Sequence, residues 1–181
     1  DSFVEEMDSD AMFNGLDAST FRDRYVVTLE DNSLMKETEA QIRATLPDAH
    51  LLLIPRTLEN LVKNGRAPKL AGQLTQMLNI RLAVSPEWKS GEIKAIKKGR
   101  GAKRIVVNTM ADCLAFLAEH PGSSVRVLTT GAAEEQELVS QALTGQDYVD
   151  AGTGPIGCTI ATHVGIDAIA ISYCPRYQPT H

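Results

Sequence analysis

Three short stretches of the 181-residue chain set charged or titratable side chains beside glycine. The first is Gly65-Arg66, inside "LENLVKNGRAPKL" (58–70). A glycine there can take the left-handed turn that stops a helix. The arginine that follows offers a planar fork of donors suited to a carboxylate or phosphate; without such a partner it is a solvated side chain at a helix end. The second is "KKGRGAKR" (97–104), with five basic residues in eight. Cations at a helix N-terminus oppose its dipole, so this placement points to use rather than to local stability. Arg66, Arg100 and Lys103 are therefore candidates for an anion or an acidic partner surface. The third is "GTGPIGCTIATHVG" (152–165), where His163 follows a glycine-rich run and stands two residues before Gly165. Glycine lets backbone N–H groups come close to a ligand, and a histidine beside them can hold a carboxylate or phosphate. His163 and Gly165 are the candidate ligand-binding pair, although a lone histidine is as readily structural. The chain has no GxxxxGK[ST], HExxH or GxSxG, and no Ser/His/Asp triad can be argued from spacing, so no catalytic residue is expected.

The totals narrow the class. A length of 181 residues suits one domain or slightly more. Aromatic residues make up only 5%, so the core must be aliphatic. A formal charge of −5 speaks against bulk nucleic-acid binding. No run of 18 apolar residues offers a membrane span, and the acidic first residues lack a signal-peptide pattern. Cys113, Cys158 and Cys174 have no metal-ligand spacing. They read as reduced thiols of a cytoplasmic protein, small residues of the core. No metal or cofactor is expected.

The elements that must position these residues follow from periodicity and turn chemistry. Residues 1–20, with six acids and no Lys or Arg, read as a mobile lead-in to a lobe over 21–181. Strands are expected at 24–30, 50–54, 80–84, 92–97, 124–130, 147–151 and 168–173, and a helix at 33–46. The run 50–54, "HLLLI", looks fully buried, and 80–84, "IRLAV", alternates as if half-buried. Thr57 caps a short helix to Lys63, and Pro68 opens another with Leu70, Leu74, Met77 and Leu78 on one face. Trp88-Lys89-Ser90-Gly91 is a hairpin turn. A helix from about Ala102 presents Val107, Met110, Leu114 and Leu117, and His120-Pro121-Gly122 stops it. Another carries Glu134 and Glu135 in its first turn, where the dipole favours them, and buries Leu138, Val139 and Ala142. The fold class is α/β, a mixed or mostly antiparallel sheet flanked by helices.

Taken in order, the three stretches resemble a family. "LENLVKNGRAPKLAGQLTQMLNIRLAVS" is similar to the LEYLxKGGRIxKxxAxLGxLLNIKPIL segment of the DegV family of bacterial fatty-acid-binding proteins. "GEIKAIKKGRGAKR" is similar to its GxIxxxxKxRGxKKA, and "IGCTIATHVGIDAIAISY" to its closing IGxVIGxHxGPGALGIxY. The resemblance covers roughly 57–177. It implies a two-lobed protein with a long-chain fatty acid between the lobes and no cofactor. His163 falls at the histidine near the carboxylate, while Arg66 and Arg100 fall at arginines that dock a fatty acid kinase, which phosphorylates the acyl group. Leu70, Leu74, Met77 and Ile80 are then candidate lining for the acyl tunnel. The chain departs from the pattern: it has no SGTY-like or TSQPS-like motif, Asn64 stands at the first glycine of Gly-Gly-Arg, and Ile166-Asp167 stand at the Pro-Gly. Residues 1–56 are short for the N-terminal lobe, so the reading is a C-terminal lobe, completed by another lobe or by a homodimer. Two other functions compete with this non-catalytic carrier. One is phosphotransfer or small-ketone binding through His163; the other is a lobe that only dimerises or regulates.

Overall fold

The computed structural model describes residues 46–71, 79–87 and 90–176, with residues 40 and 44 besides. The lead-in over 1–20, the strand over 24–30, and Leu74, Met77, Leu78, Trp88 and Lys89 lie outside the described residues. Of the helix expected over 33–46, residues 40 and 44 are helical and the others, before the 3-10 turn, also lie outside. After that turn at Leu46–Asp48 come β1 (His50–Ile54), α1 (Glu59–Lys63), β2 (Ile80–Pro86), β3 (Ile93–Arg100) and α2 (Gly101–Glu119). Then follow β4 (Ser123–Thr129), α3 (Ala133–Leu143), β5 (Tyr148–Pro155), α4 (Cys158–Val164) and β6 (Ile169–Cys174).

Among the described residues the strands form one six-stranded sheet in the order β3-β2-β1-β6-β4-β5. Only β4 and β5 run parallel; the other neighbouring pairs are antiparallel. The parallel pair is joined through a helix, α3, because parallel strands need a long crossover. The antiparallel β2–β3 pair is the hairpin expected from its turn, with Gly91 at φ 68°.

Alternate residues of each strand feed two apolar layers. On one face α2 and α3 cover Leu52, Ile54, Ala83, Val125, Val127, Ile169 and Ile171. On the other, α1, residues 67–71 and α4 cover Leu53, Leu82, Val84 and Ala170. Cover on both sides corrects the expected alternation of 80–84: Leu82, Ala83 and Val84 are all buried. The stripe on α2 is also shifted. Ile105, Val106, Thr109, Met110, Cys113 and Leu117 are buried, while Val107 is 52% exposed and Leu114 half-buried. Three apolar residues in a row left the face ambiguous, and the sheet selected the side of Ile105 and Val106.

The basic stretch 97–104 is not all helix start. Lys97 and Lys98 belong to β3, and Arg100 leads into α2 with no loop between. Lys97 is paired with Asp112 of α2 at 2.9 Å, and the Asn108 amide donates to the Lys98 carbonyl at 2.8 Å. The glycine between them has a packing reason: a Cβ on Gly99 would stand 2.5 Å from the Ile105 nitrogen and 2.6 Å from its Cα. The first turn of α2 folds directly over the strand it left, and only glycine admits that approach.

Two expected outcomes follow. Gly99→Ala meets backbone rather than a side chain that can swing away, so it should cost on the order of 2 kcal/mol or more, read as a lower urea midpoint at unchanged m. The second concerns Cys113, which is buried on the inner face of α2, whereas Cys158 is exposed and Cys174 half-buried, so the three thiols are not all core residues. Burial pushes the Cys113 thiol from 9.0 up to about 12 and raises the Tyr173 phenol as well. Between about pH 9 and 12 the folded chain keeps protons the unfolded chain has shed, so stability should be intact below pH 9 and fall through that window. Urea midpoints from pH 7 to 11 test this, and Cys113→Ala should flatten the slope.

Candidate functional site

The ladders put one set of strand ends together. Ile54 faces Ile169, Thr129 faces both Ile169 and Pro155, and Ile80 faces Arg100. The turn after β1, the loop after β4, the helix between β5 and β6, and the β3–α2 junction therefore all emerge at one end of the sheet. All the sequence-predicted polar site residues lie at this end.

His163 sits in the last turn of α4, a seven-residue helix that local periodicity does not reveal. Val164 turns inward and is buried, with Ala161 partly so. Gly165, at φ 78° and ψ −169°, then breaks the helix in a conformation essentially reserved to glycine. Its N–H donates to the Ala161 carbonyl at 2.8 Å. The Thr130 hydroxyl donates to the Gly165 carbonyl at 2.8 Å and accepts from the Ala168 N–H at 2.9 Å. The Thr129 hydroxyl accepts from the Gly131 and Ala132 N–H groups at 3.0 and 2.9 Å and donates to the Ala168 carbonyl at 3.1 Å. This pair of threonines fastens the chain on which His163 rides. Sequence reasoning missed it, although Thr-Thr-Gly between a strand and a helix is a turn signal of the serine–threonine kind.

The second wall is α1. Leu58 and Leu61 bury one side of it. Thr57 does not occupy the cap position, which Leu58 holds, but its hydroxyl accepts from the Glu59 N–H at 3.3 Å. Gly65 takes φ 67° as expected, and the N–H groups of Arg66 and Ala67 both donate to the Leu61 carbonyl, at 2.8 and 3.0 Å. Arg66 is thereby held outward between buried Leu61 and buried Ala67. The Asn64 amide donates to the Thr162 carbonyl at 3.2 Å. The Gly65-Arg66 turn and His163 thus stand on two helices bolted to each other.

His163 is half-buried, and its Nδ1 is buried with no hydrogen-bond partner among the described residues. Such an atom is uncommon and calls for a partner. Leu70 lies in the apolar layer beneath, with Leu61, Ile156 and Val164, and Ile80 is half-buried at the start of β2. Leu74 and Met77 lie outside the described residues. Arg100 and Lys103 are exposed at the same end of the sheet, but on its β3 edge, two strands from β1. They are not part of the α1–α4 wall. The run "GTGPIG", expected as a glycine-rich loop, is mostly strand: Gly152 and Gly154 belong to β5, and only Gly157 precedes α4.

A buried ion pair braces this end. The Arg81 guanidinium donates to the Glu135 carboxylate and, at 3.4 Å, to the Pro55 carbonyl. The two side chains are only 10% and 6% exposed. Glu135 lies in the first turn of α3, where the dipole also favours an anion; it was expected to serve the dipole alone, yet it is core. Burial, and then the charge of Arg56, lower the Arg81 pKa, while Glu134 and Asp167 raise it. Asp167 is turned to that side as well, its Oδ1 3.4 Å from where a Cβ on Gly131 would lie. Among the described residues no group of His, Cys, Asp and Glu is arranged to hold a metal ion, and no helix is long and apolar enough to cross a membrane.

Removing one partner strands the other charge in the core. Glu135→Ala should cost about 3–5 kcal/mol, and the volume-matched double change Arg81→Met with Glu135→Leu should recover most of that, both read by urea unfolding.

Comparison with known proteins places this arrangement. A family model described as "Uncharacterised protein, DegV family" matches residues 5–176. A DegV domain-containing protein of Clostridium acetobutylicum is 25% identical over 150 residues, 82% of this chain and 52% of its own length. Among solved structures, one titled as fatty acid binding of a DegV family protein from Thermus thermophilus aligns with a TM-score of 0.67 at 19% identity, over 81% of this chain and 51% of that one. The Streptococcus pneumoniae fatty acid kinase B3 protein, loaded with linoleic acid, aligns with a TM-score of 0.64 at 22% identity, over 80% and 53%. The chain spans about half the length of the curated relatives it matches.

Proposed function

Because the chain belongs to the DegV family, we propose that it binds a long-chain fatty acid and presents the carboxylate to a fatty acid kinase. The carrying observation is the buried, unpartnered Nδ1 of His163, on a helix tied beside the Gly65-Arg66 turn and above an apolar layer. The similar structures titled as fatty-acid-bound support the ligand class, and the kinase protein among them supports the partner.

The physics of such a ligand matches these parts. Burying an acyl chain yields about 0.8 kcal/mol per CH₂, or about 11 kcal/mol gross for roughly 14 methylenes. Association and ordering take back much of this. The carboxylate costs several kcal/mol to desolvate unless donors meet it. In this reading His163 meets the carboxylate; the Gly165 N–H, expected to share that role, is spent on the Ala161 carbonyl, so Gly165 contributes only the turn that follows His163. Leu70 and Ile80, with Leu74 and Met77, line the acyl path. Arg66, Arg100 and Lys103 face outward as cations for an acidic kinase surface. Residues 21–181 act as one lobe behind a lead-in over 1–20, and a second lobe or a second copy supplies further donors. His163 serves as a ligand group rather than a nucleophile: among the described residues nothing orients its ring through Nδ1, whereas a nucleophilic imidazole needs such an orienter.

Native mass spectrometry of the purified chain, followed by lipid extraction, is the test. The expected result is a retained or titratable long-chain fatty acid at one per site. His163→Ala should weaken it about tenfold, the equivalent of one charge-assisted hydrogen bond. The double change Arg66→Ala with Arg100→Ala should leave acyl affinity intact and slow phosphorylation by the kinase. A chain that takes up no fatty acid at saturating concentration, alone or as a dimer, overturns the reading.

A further inference from the structure

α1 offers α4 two asparagines one helical turn apart, and only one of them is used in the joint. Asn64 donates to the Thr162 carbonyl. Asn60 is exposed, and its side chain makes no hydrogen bond among the described residues. Its amide nitrogen nevertheless has a defined place, 2.7 Å from where a Cβ on Gly165 would stand. Gly165 therefore serves two ends: it adopts a backbone conformation that a side chain resists, and it leaves the space into which the Asn60 carboxamide leans. The unpartnered Nδ1 of His163 lies two residues back along the same turn of chain.

We infer that Asn60 is a further headgroup residue, whose carboxamide donates to the same anionic head that His163 meets and so helps the site prefer an acid to its neutral ester. The inference rests on the fatty-acid reading above. Three facts carry it together. The amide is accessible, it is unspent, and the missing side chain at 165 holds it against the His163 segment. Its polarity is not spent on the joint: Asn64 already ties the two helices. An N–H donor aimed at a carboxylate forms a charge-assisted bond, stronger than one aimed at a neutral carbonyl. The amide should thus discriminate by charge, not by chain length.

The experiment compares a long-chain fatty acid with its methyl ester, titrated against the wild-type chain and against Asn60→Ala, Asn60→Asp and Asn64→Ala. Asn60→Ala should weaken acid binding by about fivefold to tenfold and change ester binding less than about twofold. Asn60→Asp keeps the shape but adds a negative charge, so it should weaken acid binding further, with the ester again little affected. Asn64→Ala loosens the mount and should lower acid and ester alike. Urea midpoints of the Asn60 variants should match wild type, as for other surface changes. If wild type binds the acid and both Asn60 variants bind it equally well, the inference is overturned while the fatty-acid reading stands. If wild type binds neither acid nor ester, the fatty-acid reading falls and takes the inference with it. Equal losses for acid and ester in the Asn60 variants also overturn it, because they assign Asn60 to the mount.

Discussion

The ladder between β1 and β6 is the joint on which the described structure depends. Five register pairs, from His50 opposite Tyr173 to Ile54 opposite Ile169, connect two halves of the chain: β3, β2 and β1 on one side, β6, β4 and β5 on the other. β1 ends just before α1, and β6 begins just after α4. Pairing them antiparallel through these residues delivers the Gly65-Arg66 turn and His163 to the same place. A slip of one residue would exchange the faces of every side chain in the strand and send Ile54, Ile169 and Ile171 out of their layer. Complete burial of those three side chains is what holds the register.

The Arg81–Glu135 pair crosses the same divide a second time, from β2 in one half to α3 in the other. A buried ion pair is a poor source of net stability, because desolvation of both charges consumes the attraction. Its geometry explains its position better. Hydrogen bonds to a carboxylate and to the Pro55 carbonyl fix the angle between the hairpin and α3 at the end where the polar site residues gather. The threonine pair at the end of β4 does similar work with neutral groups, tying the segment around Gly165 and Ala168 to the sheet. Stiff backing of this kind is what a seven-residue helix needs to hold its place, since so short a helix has little stability of its own.

Much of the fold was legible. "HLLLI" reads as a buried strand and is a strand, buried over Leu52, Leu53 and Ile54 but with His50 exposed and Leu51 half-buried, and the β2–β3 turn, the His120-Pro121-Gly122 stop and the left-handed Gly65 follow from turn chemistry. The misreadings share a cause. "GTGPIG" has turn residues throughout, yet it pairs as the edge of the sheet because β4, held by β6, offers it a free side. Val107 has the right type and spacing for the α2 stripe, but three apolar residues in succession cannot declare which two face inward. Glu135 reads as a first-turn acid that serves the helix dipole, and its burial against Arg81 emerges only once the layers around it are known. Of the residues the resemblance singled out, Arg66 and His163 stand on neighbouring helices joined by Asn64 and Thr162, while Arg100 stands apart on the β3 edge.

By itself the sequence determined the local features: where glycine and proline stop an element, which runs are apolar enough to be strands, and which residue types stand beside glycine as candidates for chemistry. These depend on a few neighbouring residues, whose steric and solvation preferences act over one or two turns of chain. The tertiary structure alone decided which of them meet. Asn64 and Thr162 stand 98 residues apart and touch, and the room for the Asn60 amide exists only because Gly165, far along the chain, has no side chain. Burial of two apolar layers against one sheet selects those encounters, and it is a property of all the strands at once, so no stretch of sequence carries it.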